Sequence, residues 1–390
     1  MQQTDSHGSG KARTALPSQL GPEPSAAAQR VLPSDLSRVP EVTRLLTRLG
    51  LGGFDTATIS SLPGRNENWL GTTTQGVAVF VKQLGGAPEG SAQRLRRLIS
   101  FERCITATDT VRALTTPRLL GWDEPTRLVV YERVASARTG AELAEGGDFT
   151  PELAHRAGQA LAELHRLQAP GHLDGSAPPL PPTELLNALP LQSFSRASGA
   201  ELEAWRLLQN DGPLIEALRG LRRQERAARP VPAHCDLRLD QFLYDGSALL
   251  LTDWEEFRKA DPARDIGAFA GEWLYRAVIQ VPGRMGVLPF TTGTASHRDV
   301  LATGVQALEE VRPMTRQFWA GYRAVAGTAE PGLVSRATAF AGWHLLDRFL
   351  AGAHERPQIR AAERAAAGIG RTAVLSPGEF CAALGLEARS

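Results

Sequence analysis

"HCDLRLDQFLYDGSALLLTDWEEF", His234 to Phe257, sets two aspartates into an otherwise apolar stretch. Asp236 follows "VPAHC" and Asp253 ends the run "ALLLT". "QFLY" and "ALLLT", turned by "YDG", read as the two strands of a β-hairpin. Asp236 then lies in the loop before the hairpin, and Asp253 lies at the end of its second strand. A carboxylate is costly to bury unless it is paired or bound to a metal. Two of them beside buried strands can hold one cation, or position one hydroxyl, between them. Phosphoryl transfer uses such a pair, one carboxylate to orient the attacking hydroxyl and another to hold Mg2+ on nucleotide phosphates.

Upstream of this stretch the chain changes character twice. Residues 1–38 are rich in Ser, Pro, Gly and Ala and poor in large apolar groups, which predicts a disordered tail. "VPEVTRLLTRLG" follows as a short helix with Val42, Leu45, Leu46 and Leu49 on one face. Residues 50–134 then read β-β-β-α-β-β. The strands are "TATISSLPG", "NENWLGTTTQ", "GVAVFVKQL" and a hairpin in "PRLLGWDEPTRLVVYERV", and the helix is "GSAQRLRRLISFERCITATDT". After Val134 helical spacing dominates. Thr150 and Pro151 start "TPELAHRAGQALAELHRL" as N-cap and first-position proline. "PGHLDGSAPPLPP" is a loop, two helices precede the hairpin, and nearly everything from Asp261 on is helical. The order predicts an α+β protein of two lobes, a β-rich lobe over 39–134 and a mostly helical lobe over 135–390 that encloses one hairpin.

Bulk composition narrows the function. Lys+Arg (43) and Asp+Glu (42) leave a net charge of +1, which gives no electrostatic case for nucleic acid or an anionic membrane as partner. The runs "RLRR" (94–97) and "RGLRRQERAAR" (219–229) read as solvated helix faces. Three scattered cysteines form neither a disulfide framework nor a zinc pattern, which suits a reducing cytoplasm. The N-terminal stretch has no apolar signal core, and no run approaches the roughly 20 apolar residues of a membrane span.

The spacing within the central stretch carries more. His234-Cys235-Asp236-Leu237-Arg238-Leu239-Asp240-Gln241 fits H-x-D-x-x-x-x-[N/Q], and Asp253-Trp254-Glu255 stands where kinases carry D-F-G. "ADPARDIG" with Asp261 and Asp265 follows, and "ALAELHRL" lies upstream. At these residues the chain resembles the aminoglycoside phosphotransferase (APH)/choline kinase-like family of small-molecule kinases, from about Asn66 to Gly321. The resemblance implies a protein kinase-like fold, ATP or GTP as donor and Mg2+ as cofactor. It gives Asp236 the role of catalytic base, and Asp253, with Gln241, that of metal ligand. Lys82 would bind the α- and β-phosphates and Glu102 would pair with it. Tyr131-Glu132-Arg133-Val134 would be the hinge whose backbone binds adenine, with Glu132 and Val134 as contacts. His234 and Asp265 would brace the catalytic loop. Two departures stand out. Gln241 replaces the usual Asn and sets its amide one methylene further out, and Mg2+ tolerates poor geometry badly. "LPGRNENWLG" offers Gly64 and Gly71 but no G-x-G-x-x-G, leaving Asn66 and Asn68 as phosphate-loop candidates.

Plainer roles compete at several positions. Asp261 before Pro262 is a good helix start. His165 on an amphipathic helix reads as a satisfied structural histidine, and Cys235 as a small buried hydrophobe. Trp254, Trp273, Trp319 and Trp343 read as core. For the acceptor, a hydroxyl of a small molecule leads, and a Ser/Thr of a peptide in lanthipeptide-type natural-product maturation is the alternative. Few carboxylates follow Asp261, which argues against an aminoglycoside in particular. A non-catalytic nucleotide-binding scaffold, motivated by Gln241, and a metal-dependent phosphohydrolase using His234, Asp236 and Asp253 are the rival classes. The second has no need of Lys82.

Overall fold

The structure, a computed structural model, describes residues 35–62, 66–108, 111–168, 173–286, 296–354 and 356–387. Most of the expected tail lies outside them. Residues 36–38, assigned to that tail by sequence, form a 3-10 turn capped by Asp35.

Helix α1 (Pro40–Arg48) buries Val42, Leu45 and Leu46. Strands β1 (Glu67–Thr72) and β2 (Ala78–Gln83), helix α2 (Pro88–Thr106), and strands β3 (Leu119–Asp123) and β4 (Leu128–Glu132) follow. The strands form one antiparallel sheet in the order β1-β2-β4-β3. Alternation sorts its faces. Val79, Val81, Leu128 and Val130 join Val42, Leu45 and Leu46 in one cluster, so α1 covers the outer face. Phe80, Lys82 and Tyr131, one residue out of phase, turn the other way, into the cleft.

One expected strand is absent. "TATISSLPG" becomes a 3-10 turn at Thr56–Thr58, and Ser60 makes a single bridge to Leu70. The Asp55 side chain accepts from Ala57 N, and Thr58 Oγ1 donates to Asp55 O. Such local side-chain bonds compete with ladder pairing. The order is therefore β-β-α-β-β.

Past Glu132 the chain enters the helical part. Its elements begin with β5 (Arg138–Thr139), α3 (Gly140–Gly146), α4 (Pro151–Arg166), α5 (Leu191–Phe194), α6 (Gly199–Gln209) and α7 (Gly212–Ala227). Strands β6 (Val231–Ala233), β7 (Phe242–Tyr244), β8 (Leu249–Leu251) and β9 (Arg258–Ala260) come next. Helices α8 (Ala263–Arg284), α9 (His297–Ala326), α10 (Leu333–Ala353), α11 (Ala361–Leu375) and α12 (Pro377–Leu384) complete it. The expected hairpin is β7–β8, with β5 added at its edge. Asp245 Oδ1 accepts from Ser247 N and Ala248 N, which sets the turn. The sequence reading missed the β6–β9 pair, which closes the loop segment between them at its base.

Helix packing relies on glycine at the α4–α9 crossing. A Cβ on Gly158 would stand 2.0 Å from Phe318 O, and one on Gly321 would stand 2.0 Å from His155 O. The two glycines let the backbones touch, and no larger residue fits either place.

Candidate active site

The loop after β6 is held in an unusual shape. Cys235 has φ +63°, rare for a residue with a side chain. Asp265, fully buried in the first turn of α8, accepts from His234 N at 2.7 Å and from Cys235 N at 2.8 Å, one bond on each oxygen. His165 Nε2 lies 3.1 Å from the same carboxylate, and its Nδ1 lies 3.0 Å from the Tyr322 hydroxyl. Burial opposes the Asp265 charge, but these hydrogen bonds and the neighbouring histidines keep its pKa below the usual aspartate value. His234 ties the loop to the hairpin. Its Nε2 faces Thr252 O at 2.8 Å and its Nδ1 faces Asp236 N–H at 3.3 Å. A carbonyl requires a donor and an amide an acceptor, which assigns the ring proton to Nε2.

Asp236 follows directly on this braced pair, its own N–H facing His234 Nδ1. About a third of its side chain meets solvent, and Arg238 NH1 stands 3.4 Å away. Desolvation, aided by Asp253 and opposed by Arg238, pushes its pKa up to about 6. Arg238 is gripped by both oxygens of Asp240 at 3.0 Å, a geometry that fixes the guanidinium plane.

Across the cleft, Lys82 Nζ donates to Asp253 Oδ1 at 2.6 Å and stands 3.5 Å from Glu255 Oε2. Burial works against the charge of Lys82, yet the two carboxylates outweigh it and hold its pKa above the usual lysine value. Asp253 responds in the opposite sense: burial would raise its pKa, and Lys82 brings it below the usual value. Asp253 also sits at φ +66°. Trp254, next in the chain, is 1% exposed and stacks on Phe101 of α2 with ring centroids 3.5 Å apart. That anchor holds the short turn carrying both Asp253 and Glu255.

Glu255 is the junction of a buried network. Its Oε2 also meets Arg94 NH1 of α2 at 3.1 Å and Asn66 Nδ2 at 3.2 Å. Asn66 Oδ1 accepts from Gly85 N at 3.0 Å. Asn68, 6% exposed, spends its amide on its own loop, accepting from Leu62 N and donating to Leu62 O. Both asparagines suggested for the phosphate loop thus make bracing contacts. Gly64 lies outside the described residues.

Glu102 requires a correction. Lys82 takes its carboxylates from Asp253 and Glu255, and no Glu102–Lys82 pair forms among the described residues. Glu102 Oε1 is buried without a hydrogen-bond partner, and burial alone pushes its pKa up to about 7. The basic run "RLRR" needs another: Arg94 and Arg97 are 7% exposed and carry buried ion pairs rather than a solvated face. Arg97 reaches Asp174 at 2.8 Å and Glu256 at 2.9 Å. Glu255, Arg94 and Arg97 escaped the sequence reading. The available signal was their spacing, since Arg94 and Arg97 share a face with Leu98 and Phe101.

A cavity of about 430 Å3 lies between the sheet and the helical part, within the usual size of a ligand site. Leu70, Phe80, Tyr131 and Leu243 make apolar walls, Lys82, Asp253, Asp240 and Gln241 line one end, and Glu132, Arg133 and Val134 line the strand edge. The Glu132 side chain is exposed and pairs with Arg118 at 2.8 Å. Gln241 is 5% exposed, and its Nε2 donates to Asp240 Oδ2 at 3.3 Å, leaving Oε1 as the free end of the amide. Among the described residues no cluster of three His, Cys, Asp or Glu makes a self-contained metal cage. No described helix is long and apolar enough to cross a membrane.

Comparison with known proteins bears on the family and the fold. The model of the phosphotransferase enzyme family (APH) matches residues 58–285, more than half of the chain. None of the curated protein sequences matches. Three solved structures are similar at a TM-score of 0.50. An amicoumacin kinase is 14% identical, covering 87% of this chain and 96% of its own. The choline kinase LicA of Streptococcus pneumoniae is 13% identical, covering 86% and 98%. A microcompartment-associated aminopropanol kinase is 18% identical, covering 90% and 99%. Identity this low speaks to the fold, which is the two-lobed, kinase-like one.

Proposed function

The chain belongs to the phosphotransferase enzyme family, and from that premise we propose that it moves the γ-phosphate of ATP or GTP, with Mg2+, to a hydroxyl of a small molecule. One observation carries the reading: Lys82 from the sheet and Asp253 from the hairpin pair at 2.6 Å in the lining of one cavity, and Asp236, on the braced loop, is near enough to Asp253 to feel its charge.

The residues present fit a metal–nucleotide. Mg2+ is commonly held by one or two carboxylates together with substrate phosphates, so the lack of a self-contained cage is no obstacle. Asp253 would be the carboxylate ligand and Gln241 Oε1 the second protein oxygen. A bound metal–nucleotide would supply the activated phosphoryl group and neutralise its charge. Lys82 would turn from Asp253 toward phosphate oxygens, with Glu255 keeping its ammonium in place. Leu70, Phe80, Tyr131 and Leu243 would enclose the base against the backbone of Glu132–Val134. Asp236 would orient the acceptor hydroxyl and take its proton at a carboxylate oxygen. His234 and Asp265 would hold that carboxylate at its angle. The bound AMP-PNP and Ca2+ of the amicoumacin kinase support the nucleotide part of this reading.

The test is calorimetric titration with AMP-PNP, with and without Mg2+, on wild type, Asp253→Asn and Asp236→Asn. Binding that needs Mg2+, is lost in Asp253→Asn and is kept in Asp236→Asn is the expected result. Binding that ignores both Mg2+ and Asp253 overturns the metal assignment.

A further inference from the structure

Lys82 meets two carboxylates, and the second is gripped from behind. Glu255 Oε2 stands 3.5 Å from Lys82 Nζ, 3.1 Å from Arg94 NH1 and 3.2 Å from Asn66 Nδ2. Three donors from three segments converge on one oxygen of a side chain that is 5% exposed. Arg94, from α2, has further contacts that fix it there. Its NH2 donates to Gly85 O, three residues past Lys82 on the way out of β2, and its NH1 stands 3.4 Å from Asn66 Oδ1. Asn66 Oδ1 also accepts from Gly85 N at 3.0 Å, so the turn leaving the lysine's strand is held on both backbone groups of one residue.

In this cluster two cations, Lys82 and Arg94, face two carboxylates, Asp253 and Glu255. The proposed reaction asks Lys82 to turn toward phosphate and to leave Asp253 to the metal. Glu255 keeps Arg94 when that happens, and a buried carboxylate that retains a cation is far less costly than one that loses it. Removing Arg94 would throw more of the Glu255 charge onto Lys82 and draw the ammonium back from the phosphates. Glu102 is not placed for this work. It lies eight residues further along α2, about 12 Å along the axis, and its Oε1 is buried without a hydrogen-bond partner.

We propose that Arg94 is a positioning residue for Lys82, acting through Glu255. This deepens the phosphotransferase reading and rests on it. Helix α2 steers the lysine with a cation and a borrowed carboxylate, where the family resemblance implied a carboxylate of its own. Glu255 is then a support for Lys82, and Asp253 alone of the two carboxylates goes to the metal.

The experiment is a double-mutant cycle on nucleotide affinity. The ligand is whichever of AMP-PNP and GMP-PNP binds wild type more tightly with Mg2+, and affinities are read by displacement of a fluorescent nucleotide, which stays measurable for weak variants. Arg94→Met should weaken binding about tenfold, and Arg94→Lys should recover part of the loss. In a Lys82→Met background Arg94→Met should cost less than about twofold, because the residue it positions is gone. A merely structural arginine would cost the same factor in both backgrounds. Glu255→Gln, which keeps the side chain's size, runs through the same cycle with the same expected result, and it carries the test should Arg94→Met fail to fold. Losses that add in full, or wild-type affinity in both Arg94→Met and Glu255→Gln, overturn the inference. So does a Glu255→Gln variant whose binding no longer responds to Mg2+, since that would make Glu255 a metal ligand. In each of those cases the phosphotransferase reading stands. If neither analogue binds wild type, the underlying reading falls instead.

Discussion

Glu102 and Asp236 are both carboxylates whose pKa is raised, and the two shifts have different consequences. For Glu102 the cause is burial without a partner, which takes the folded-state pKa to about 7 from an ordinary 4.5. Below pH 4.5 the group is protonated whether or not the chain is folded, and it costs nothing. As pH rises from there to about 7 the unfolded chain releases the proton more readily, and stability is lost over that window. Glu102→Gln should therefore stabilise the protein by roughly 2 kcal/mol at pH 8 and by little at pH 5, as read from urea unfolding midpoints. For Asp236 the deprotonated form is the proposed base, so kcat/KM should climb as pH rises through about 6. Asp236→Asn should lower kcat about a hundredfold or more and flatten that limb. At this scale the sequence was readable where a motif constrains spacing. Lys82, Asp236 and Asp253 could be named before any coordinate. Glu102 was chosen as the carboxylate available on one helix. The carboxylate that Lys82 shares with Asp253 came instead from residue 255, 173 positions along the chain from Lys82, a pairing that no local pattern encodes.

Among the elements, α2 shows most clearly what local reading misses. Its polar residues on the buried face hold the two parts of the molecule together. Arg97 joins Asp174 and Glu256, and Gln93 adds a bond to Asp174 at 3.2 Å. Asp174 O in turn accepts from Lys259 N at 2.8 Å, so one loop residue ties α2 to β9. Removing one partner of a buried pair strands the others. Arg97→Ala should cost about 2–3 kcal/mol in urea unfolding, whereas the exposed Arg96→Ala should stay within about 0.5 kcal/mol. Charge runs look alike in sequence whether they face water or carboxylates, because the partner is supplied by tertiary contact. The strands were legible for the opposite reason. Alternation in "VAVFVKQ" and "RLVVYE" specifies two faces, and each face found its own cover. "TATISSLPG" lacked that alternation of large apolar groups, and it did not become a strand.

For the whole molecule, the division into a sheet and a helical part was visible in the change of periodicity after Val134. How the helices cross was not, since a glycine in a helical run gives no hint of what lies against it. If the cavity binds nucleotide as proposed, Mg2+–AMP-PNP at a hundred times its Kd should stabilise the fold by about 2.7 kcal/mol, and Asp253→Asn should lose most of that gain. Thermal unfolding with and without ligand measures it. The α4–α9 crossing has a mechanical side as well. Gly158 and His165 are seven residues apart on α4, close to the same angular position and about 10 Å along the axis. One seats α9, and the other reaches the aspartate that shapes the loop carrying the candidate base. Helix α4 is thus a lever with its fulcrum at a hydrogen atom. Prying that fulcrum open by one methyl group, as in Gly158→Ala, should swing the tip at His165 and leave the cavity walls on the sheet where they are. Such a variant, if it folds, should keep its hold on nucleotide and lose its aim.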